Sequence, residues 1–265
     1  MTSILQRLGL VPPQAKEPTP GNRVIQGLWI GDKLRLNEQL SIKSFLAHGH
    51  EYHLYAYDPI KGVPDGVVLK DAADIMPRES IFQFHTGSYA MFADNFRIHL
   101  LFKRGGWWCD LDMICLRPFD FKEEIVLISE PEDGYKSAGL TNGIMKFPAG
   151  SPFGEACIEF LKTVNNETNQ EWTLTNRGML EHVVAELKCE AYVKPPLNFS
   201  PLFWGEATPT FTDSQLARNG RKLMKNRQTY TLHLFNEFWR KNGLDQNARF
   251  APDTLIEQLR RRHGV

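Results

Sequence analysis

Apolar residues along this chain occur in short runs that alternate with longer segments of helical period, and this pattern predicts an α/β fold. Runs rich in apolar and aromatic residues at Val24–Ile30 and Tyr52–Tyr57 predict buried strands, and Asn37–His48 between them predicts a helix. Strands that alternate with helices are typical of a parallel sheet covered by helices. We therefore expect a mostly parallel sheet flanked by helices.

The clearest amphipathic helix is predicted over Ser88–Arg104, where Ser88 is a candidate N-cap and Gly105 can end the helix. Asp94 and Arg97 lie three residues apart, so they share one face of this helix. The simplest interpretation of such a pair is a surface ion pair, which contributes less than about 1 kcal/mol. A pair at a functional site is the alternative.

The rest of the chain continues the alternation and favours one large domain. We expect strands at Ile125–Ser129, Gly139–Phe147 and Tyr192–Lys194, and helices at Phe153–Val164, Arg177–Leu187 and Pro252–Arg262. Residues 1–22 contain four prolines and predict an extended N-terminal arm. A single domain is then expected over residues 23–265.

Composition narrows the class of protein. Lys and Arg number 31, as do Asp and Glu, so no global field favours nucleic acid. The four cysteines, at positions 109, 115, 157 and 189, show no Cys-x-x-Cys spacing and predict reduced core thiols in a cytoplasmic protein. No stretch has the pattern of a signal peptide or a membrane span.

The candidate chemistry centres on Gly105–Asp112, a Gly-Gly turn followed by an apolar run that ends in Asp-x-Asp. Side chains alternate along a strand, so Asp110 and Asp112 are expected to project from the same face. Two like charges at this distance need a cation, a sugar hydroxyl or water nearby. A solvated loop or a helix N-cap is the alternative interpretation of Asp-x-Asp.

The order Asp94-x-x-Arg97, Gly105-Gly106 and Asp110-x-Asp112, after the strand Ile25–Gly31, resembles glycosyltransferase family 32 and its relatives. These relatives include the clostridial glucosylating toxins, the α-1,4-galactosyltransferases and fungal mannosyltransferases. The resemblance covers mainly residues 23–120. It implies a GT-A type, Rossmann-like fold with a C-terminal helical and loop extension, and a retaining hexosyltransferase.

The resemblance also implies a metal, Mn²⁺ or Mg²⁺, held by Asp110 and Asp112, with Asp110 reaching either the metal or the ribose. Such hard cations prefer carboxylate oxygens and often bind substrate phosphates as well. His233 is implied as a third ligand. A structural role is the alternative for this histidine, because it lies between two leucines.

For the donor, the resemblance implies that Asp94 and Arg97 hold sugar hydroxyls and that Trp29 lies along the base or ribose. Trp239 is expected to close over the leaving phosphates. Asn142 resembles the family's asparagine near the reacting sugar. The alternatives are core packing for Trp29 and an Asn-Gly turn at Asn142.

A loose similarity also links the segment Thr175–Gly178 to the family's acceptor-side loop, with a helix N-cap as the alternative. We expect peripheral contact with the inner face of the membrane, because lipid-linked acceptors are common and the chain offers an apolar segment at Ile4–Leu10. The arginines Arg260 to Arg262 favour the same contact, although they also suit a helix C-terminus.

The function expected from these features is metal-dependent, retaining transfer of a hexose from a nucleotide sugar to a glycan or glycolipid, in surface polysaccharide synthesis. A UDP-hexose is favoured as donor over GDP-mannose. Two other classes stay open. One is a metal-dependent phosphohydrolase that uses Asp110 and Asp112, although the histidines lack metal-like spacing. The other is a carbohydrate-binding protein without catalytic activity.

Overall fold

The structure, a computed structural model, describes residues 17–84, 87–164, 171 and 173–265. Most of the predicted arm, residues 1–16, therefore lies outside the described residues, as does the Ile4–Leu10 segment. Next to the predicted boundary, Asn22 is fully buried. Its side chain donates to the carbonyl of Phe121 and accepts from Trp107 Nε1. Asn22, the last residue of the predicted arm, is therefore packed against the sheet domain.

Seven strands form one mixed sheet. The strands are β1 (Val24–Trp29), β2 (Glu51–Ala56), β3 (Val67–Asp71), β4 (Gly106–Cys109), β6 (Val126–Glu132), β7 (Ser137–Phe147) and β8 (Val193–Lys194). Their order across the sheet is β3-β2-β1-β4-β7-β6-β8. Strands β3, β2, β1 and β4 are parallel, β7 is antiparallel to β4 and β6, and β8 is parallel to β6. A separate antiparallel ribbon joins β5 (Met113–Cys115) to β9 (Thr231–His233).

Helices cover the sheet and extend the C-terminal part. In chain order they are α1 (Leu36–Ala47), α2 (Ala90–Arg104), α3 (Pro152–Thr163), α4 (Met179–Leu187), α5 (Pro196–Phe199), α6 (Trp204–Thr212), α7 (Ala217–Lys225), α8 (Asn236–Lys241) and α9 (Leu255–His263). The predicted strands and helices are confirmed, with ends shifted by up to three residues. The predicted class, a mostly parallel sheet flanked by helices with a C-terminal helical extension, is also confirmed.

The core lies on both faces of the sheet. Neighbouring residues of β4 point to opposite faces, so Trp107 packs with Ile25 and Tyr52 on one side, while Trp108 packs with Phe96 on the other. A third apolar cluster joins the β5–β9 ribbon to helices α6, α8 and α9. This cluster attaches the C-terminal extension to the sheet domain.

The four cysteines are buried and free, which confirms the predicted core thiols. Burial raises the pKa of Cys109 and Cys115, and the nearby carboxylates of the Asp-x-Asp segment add to the shift at Cys109. Both thiols are therefore protonated and unreactive at neutral pH. No helix in the described part of the chain is long and apolar enough to cross a membrane.

Candidate active site

The Gly-Gly turn connects helix α2 to strand β4 and thereby positions β4 and the Asp-x-Asp segment after it. Gly105 and Gly106 both have positive φ, 68° and 87°, a conformation that side chains disfavour. A Cβ on Gly105 would lie 2.7 Å from the backbone nitrogen of Ala149. The side chain of Gln26, in β1, donates to the carbonyl of Gly105 at 2.9 Å. This turn thus accepts only glycine and is tied to the central strand.

Strand β4 ends at Cys109, so the Asp-x-Asp segment lies in the turn between β4 and β5. The expectation that Asp110 and Asp112 share one face of a strand is therefore wrong. The turn itself brings them together, with the amide of Asp110 donating to the carbonyl of Gly143 at 2.8 Å. A Cβ on Gly143 would lie 3.3 Å from Asp110 Oδ2. Glycine at this position keeps space for the carboxylate.

Arg97 is the centre of a buried polar cluster. Its Nη1 donates to both the carbonyl and Oδ1 of Asn142, each at 2.7 Å. The same nitrogen lies 3.1 Å from Asp110 Oδ1, and Nη2 lies 3.3 Å from Asp94 Oδ1. Because Asp94 and Arg97 are each only 4% exposed, the surface ion-pair interpretation is wrong. The guanidinium also lies 4.8 Å from the ring centroid of Trp108.

Asp94 uses both carboxylate oxygens within the protein. Oδ1 accepts from Asn142 Nδ2 and Oδ2 accepts from Thr175 Oγ1, each at 2.9 Å. Burial raises the pKa of Asp94, while the charge of Arg97 and these two hydrogen bonds oppose the shift. The neighbouring Asn176 accepts from the backbone amide of Asn142 at 3.0 Å. The side chains of Asp94 and Arg97 are more deeply buried than that of Asp110. Their predicted contacts with sugar hydroxyls stay predictions.

His233 lies on the β5–β9 ribbon, opposite Met113, and faces two carboxylates. Its Nδ1 is 2.7 Å from Glu130 Oε1 and its Nε2 is 3.3 Å from Asp112 Oδ2. Burial alone would lower the pKa of His233, but the charges of Asp112 and Glu130 outweigh it and raise the pKa to about 10. His233 is therefore a cation at neutral pH that stabilises ionised Asp112.

A strained backbone completes the surroundings of Asp112. Phe235 has a φ of 54°, which is rare for a bulky residue. This conformation directs the amide of Asn236 to Asp112 Oδ2 at 2.9 Å. The Asn236 side chain is bound in turn to Asn37 and Glu38 of helix α1, each at 2.9 Å. Helix α1 thus helps to fix the Asp112 side of the site.

Arg260 joins this network from helix α9 and is fully buried. Its Nη2 donates to Asn37 Oδ1 at 2.9 Å, and its Nη1 lies 2.8 Å from Glu257 Oε1. The predicted membrane contact is therefore wrong for Arg260, because its guanidinium is engaged inside the protein. Arg261 and Arg262 are exposed.

The two tryptophans assigned to the donor differ in their positions. Trp29 is half-buried at the carboxyl end of β1, and its indole N–H is buried without a hydrogen bond to the residues that the structure describes. Its predicted contact with the nucleotide stays a prediction. Trp239 is fully buried and donates to the carbonyl of Leu234 at 2.9 Å. Its predicted role above the phosphates is contradicted, since Trp239 packs in the C-terminal core.

Asp110 and Asp112 supply only part of a ligand set for a hard divalent cation. Asp110 and Asp112 provide carboxylate oxygens at the edge of the buried cluster, with side chains 30% and 15% exposed. Burial and the charge of Asp112 raise the pKa of Asp110, although Arg97 opposes them. A bound cation would relieve this repulsion. The two carboxylates therefore fit a metal that takes further ligands from a substrate.

His233 does not complete a protein-only metal site. Among the described residues, no group of three or more His, Cys, Asp or Glu side chains is arranged to hold a metal ion. The predicted ligand set of Asp110, Asp112 and His233 is therefore not assembled. Both imidazole nitrogens instead face the carboxylates of Asp112 and Glu130.

Three residues of the site have roles that sequence reasoning missed. The sequence pattern does not single out Glu130, although a carboxylate at the end of the apolar run of β6 is a usable signal. Thr175 lies in a segment with only a loose resemblance, and Glu38 has the sequence position of an ordinary first-turn residue of a helix. Each is connected to the site by contacts between segments far apart in the chain.

Sequence comparison identifies the segment that contains four residues of the site. Residues 39–130 match a glycosyltransferase family. The family is described as the glycosyltransferase sugar-binding region containing a DXD motif. The match includes Asp94, Arg97 and the DXD residues Asp110 and Asp112. Together with the mostly parallel sheet, it is consistent with the predicted GT-A type of glycosyltransferase.

Several solved structures are also similar to the chain. The structure titled PaToxG Glycosyltransferase is 13% identical, with 94% of this chain and 86% of that chain covered and a TM-score of 0.49. The ligand-free glycosyltransferase domain from the YGT toxin is 10% identical, with coverage of 76% and 86% and a TM-score of 0.49. Its UDP-bound form is 10% identical, with coverage of 66% and 79% and a TM-score of 0.46. No curated protein matches the chain.

Proposed function

We propose that this protein is a metal-dependent, retaining glycosyltransferase that moves a hexose from a nucleotide-sugar donor to a glycan or glycolipid. The observation that carries the proposal is the cluster formed by Asp94, Arg97 and Asp110, with Asp112 in the same turn. These residues are separated in sequence within the matched segment and lie close together in the structure. Asn142, outside that segment, links two of them.

The chemistry of glycosyl transfer explains why such a cluster is useful. The donor leaves as a nucleoside diphosphate, and Asp110 and Asp112 would hold a Mn²⁺ or Mg²⁺ ion, which would supply a Lewis acid for its growing negative charge. Arg97 holds Asp110 in place through its 3.1 Å contact. His233 and the Asn236 amide hold Asp112 ionised and oriented. The protein thus fixes both carboxylates before substrate binds.

We infer front-face substitution, in which the leaving phosphate assists attack by the acceptor, as the route to retention. A double displacement needs a nucleophile free to attack the anomeric carbon. Asn142 is unsuited to this task because Arg97 occupies its amide oxygen and Asp94 its amide nitrogen. Glu130 is likewise paired with His233. Detection of a covalent sugar adduct on any of these side chains by intact-mass spectrometry would contradict the inference.

UDP-glucose or UDP-galactose is the donor that we favour, with GDP-mannose as the alternative. The proposed setting is surface polysaccharide synthesis on an acceptor at the inner face of the membrane. These assignments derive from the resemblance of the motifs, and the exposed Arg261 and Arg262 support the membrane contact. A panel of donors distinguishes them directly.

The decisive experiment is hydrolysis of a panel of sugar nucleotides with Mn²⁺ or Mg²⁺, because slow transfer to water reveals the donor without an acceptor. We compare the wild type with Asp112→Asn and with Asp65→Asn, an exposed aspartate in the loop before β3. We expect metal-dependent release of free sugar and nucleoside diphosphate, lost only in Asp112→Asn. Release of sugar phosphate and nucleoside monophosphate would instead indicate a phosphohydrolase. If the wild type cleaves no donor, the proposal is wrong.

A further inference from the structure

A row of aromatic side chains leads from the site to the protein surface. Beginning at His233, it contains Phe235, Phe238, Trp204, Phe203 and Tyr135, and we call these five aromatic residues the aromatic ledge. The ring centroids of His233 and Phe235 are 3.7 Å apart, and those of Phe235 and Phe238 are 6.1 Å apart. Phe238 and Trp204 stack at 4.6 Å with an interplanar angle of 18°. The row continues from Trp204 to Phe203 at 4.7 Å and to Tyr135 at 6.1 Å.

The inner end of the aromatic ledge is buried and its outer end is exposed. Phe235 is 8% exposed, whereas Trp204 is 45% and Tyr135 is 48% exposed. Large exposed aromatic surface beside a candidate active site is typical of a ligand-binding surface. The aromatic ledge therefore presents a row of flat ring faces that begins next to His233, the partner of Asp112.

Two residues of the aromatic ledge adopt strained backbone conformations. Among the described residues other than glycine, only four have positive φ, and two of them are Tyr135 at 74° and Phe235 at 54°. This conformation is rare for bulky aromatic residues and tends to persist at functional sites. Tyr135 lies in the turn between β6 and β7, and its strained backbone places the aromatic ring against Phe203.

The outer end of the ledge is also held rigidly. The Tyr135 hydroxyl donates to Glu206 Oε2 at 2.9 Å and accepts from the backbone amide of Phe203 at 3.1 Å. Rigid aromatic rings bind with little loss of conformational entropy. Exposed polar groups flank the rings, including Glu206 and Glu237, and Lys241 Nζ lies 5.4 Å from the ring centroid of Phe238.

We propose that the aromatic ledge is the acceptor subsite and binds the pyranose rings of an oligosaccharide, with Trp204 as the main stacking residue. A pyranose ring presents an apolar C–H face to an aromatic ring and hydroxyl groups to the polar groups at its edge. The inference rests on the proposed function and places the acceptor on the side of the site occupied by His233.

Charge favours a sugar over a lipid surface at this position. Binding to anionic lipid needs an excess of Lys and Arg beside the apolar residues. Along the ledge, Glu206 and Glu237 offset the positive charges, and Glu237 is paired with Arg240 at 2.5 Å. Neutral hydroxyl groups can use both the donors and the acceptors of such an edge.

The test separates transfer to water from transfer to an added sugar. We use the donor that the wild type hydrolyses, with p-nitrophenyl α- and β-glycosides of glucose, galactose and mannose, and with lactose and maltose, as acceptors. For Trp204→Ala we expect the ratio of transfer to hydrolysis to fall by about tenfold, through a higher acceptor KM. Trp204→Phe should recover part of the loss because it keeps a ring. Leu69→Ala, which removes an exposed apolar side chain from β3, serves as the control.

The outcomes distinguish this inference from the proposed function. If the wild type hydrolyses no donor, the proposed function itself fails. If it hydrolyses a donor but glycosylates none of the sugars, or if Trp204→Ala keeps the wild-type acceptor KM, the acceptor subsite is wrong. Loss of binding to vesicles of phosphatidylcholine and phosphatidylglycerol in Trp204→Ala, with acceptor KM unchanged, would assign the ledge to lipid instead. If Trp204→Ala is poorly folded, the acceptor KM of Trp204→Phe decides.

Discussion

At the scale of single residues, the site depends on the geometry of one guanidinium. The planar fork of Arg97 contacts Asn142 twice while facing Asp94 and Asp110. A lysine at this position would keep the charge but not the fork. The position of the Asp110 carboxylate is thus fixed by Arg97, which is more deeply buried.

We predict that Arg97→Lys lowers the kcat of donor hydrolysis by about a hundredfold, because displacement of the carboxylate that we propose to bind the metal is enough to misalign the reaction. Unsatisfied buried acceptors should also reduce the free energy of unfolding by about 1 to 3 kcal/mol. Arg78→Lys, at an exposed ion pair with Asp58, is the matched control and should be nearly neutral. Urea unfolding and donor hydrolysis provide the two measurements. Wild-type kcat in Arg97→Lys would refute the assigned role.

Thr175 is the second residue whose role is testable in isolation. Thr175→Val keeps the shape but removes the hydroxyl that donates to Asp94, so we expect a loss of about 1 to 3 kcal/mol in the free energy of unfolding. Thr175→Ser retains the hydroxyl and should restore the hydrogen bond at the cost of one methyl group. Equal stability of the valine variant and the wild type in urea would contradict this account.

At the scale of elements, the site is built where helix α2, strand β4 and the β5–β9 ribbon meet. The part formed by neighbouring residues could be predicted from sequence, since helical spacing places Asp94 beside Arg97 and the short Asp-x-Asp segment keeps its carboxylates close. The part formed across the chain could not. Glu130 of β6 meets His233 of β9 through a side-chain contact that spans 103 residues of sequence. Apolar periodicity likewise gave no means to tell buried Trp239 from exposed Trp204.

The junction between α2 and β4 gives a prediction at this scale. Gly105→Ala adds both an unfavourable φ and a clash with the backbone of Ala149, so it should lower the free energy of unfolding by about 2 to 4 kcal/mol. Gly134→Ala is the control, because Gly134 has a φ of 59° but nothing within 4 Å of the added Cβ. Its expected cost is about 1 kcal/mol. Equal losses of unfolding free energy in the two variants would show that the protein relaxes enough to remove the clash.

At the scale of the whole molecule, a buried polar network ties the C-terminal extension to the site. It runs from Arg260 of α9 through Asn37 of α1 to Asn236, whose amide reaches Asp112. Glu38 accepts from Asn236 Nδ2 within this network and is 2% exposed. Since each member is needed by the next, a change of charge at Glu38 should affect the stability of the entire fold.

Burial raises the pKa of Glu38 from 4.5 to about 7, although the backbone amide and charge of Arg35 oppose the shift. The folded state therefore binds a proton that the unfolded state releases between these pH values, and stability falls as pH rises. Each pKa unit corresponds to about 1.4 kcal/mol, so this contribution changes by about 3 kcal/mol across the window.

Glu38→Gln isolates that contribution because glutamine stays neutral. We predict that the free energy of unfolding of the wild type, minus that of Glu38→Gln, decreases by about 3 kcal/mol from pH 4.5 to pH 7. His50 and His263, whose pKa values burial lowers to about 4, change stability in the opposite direction, and the subtraction removes their effect. Urea unfolding at intervals across the window measures the difference. A difference that stays constant with pH would show that Glu38 is ionised in the folded protein throughout, and that the network holds a charge rather than a proton.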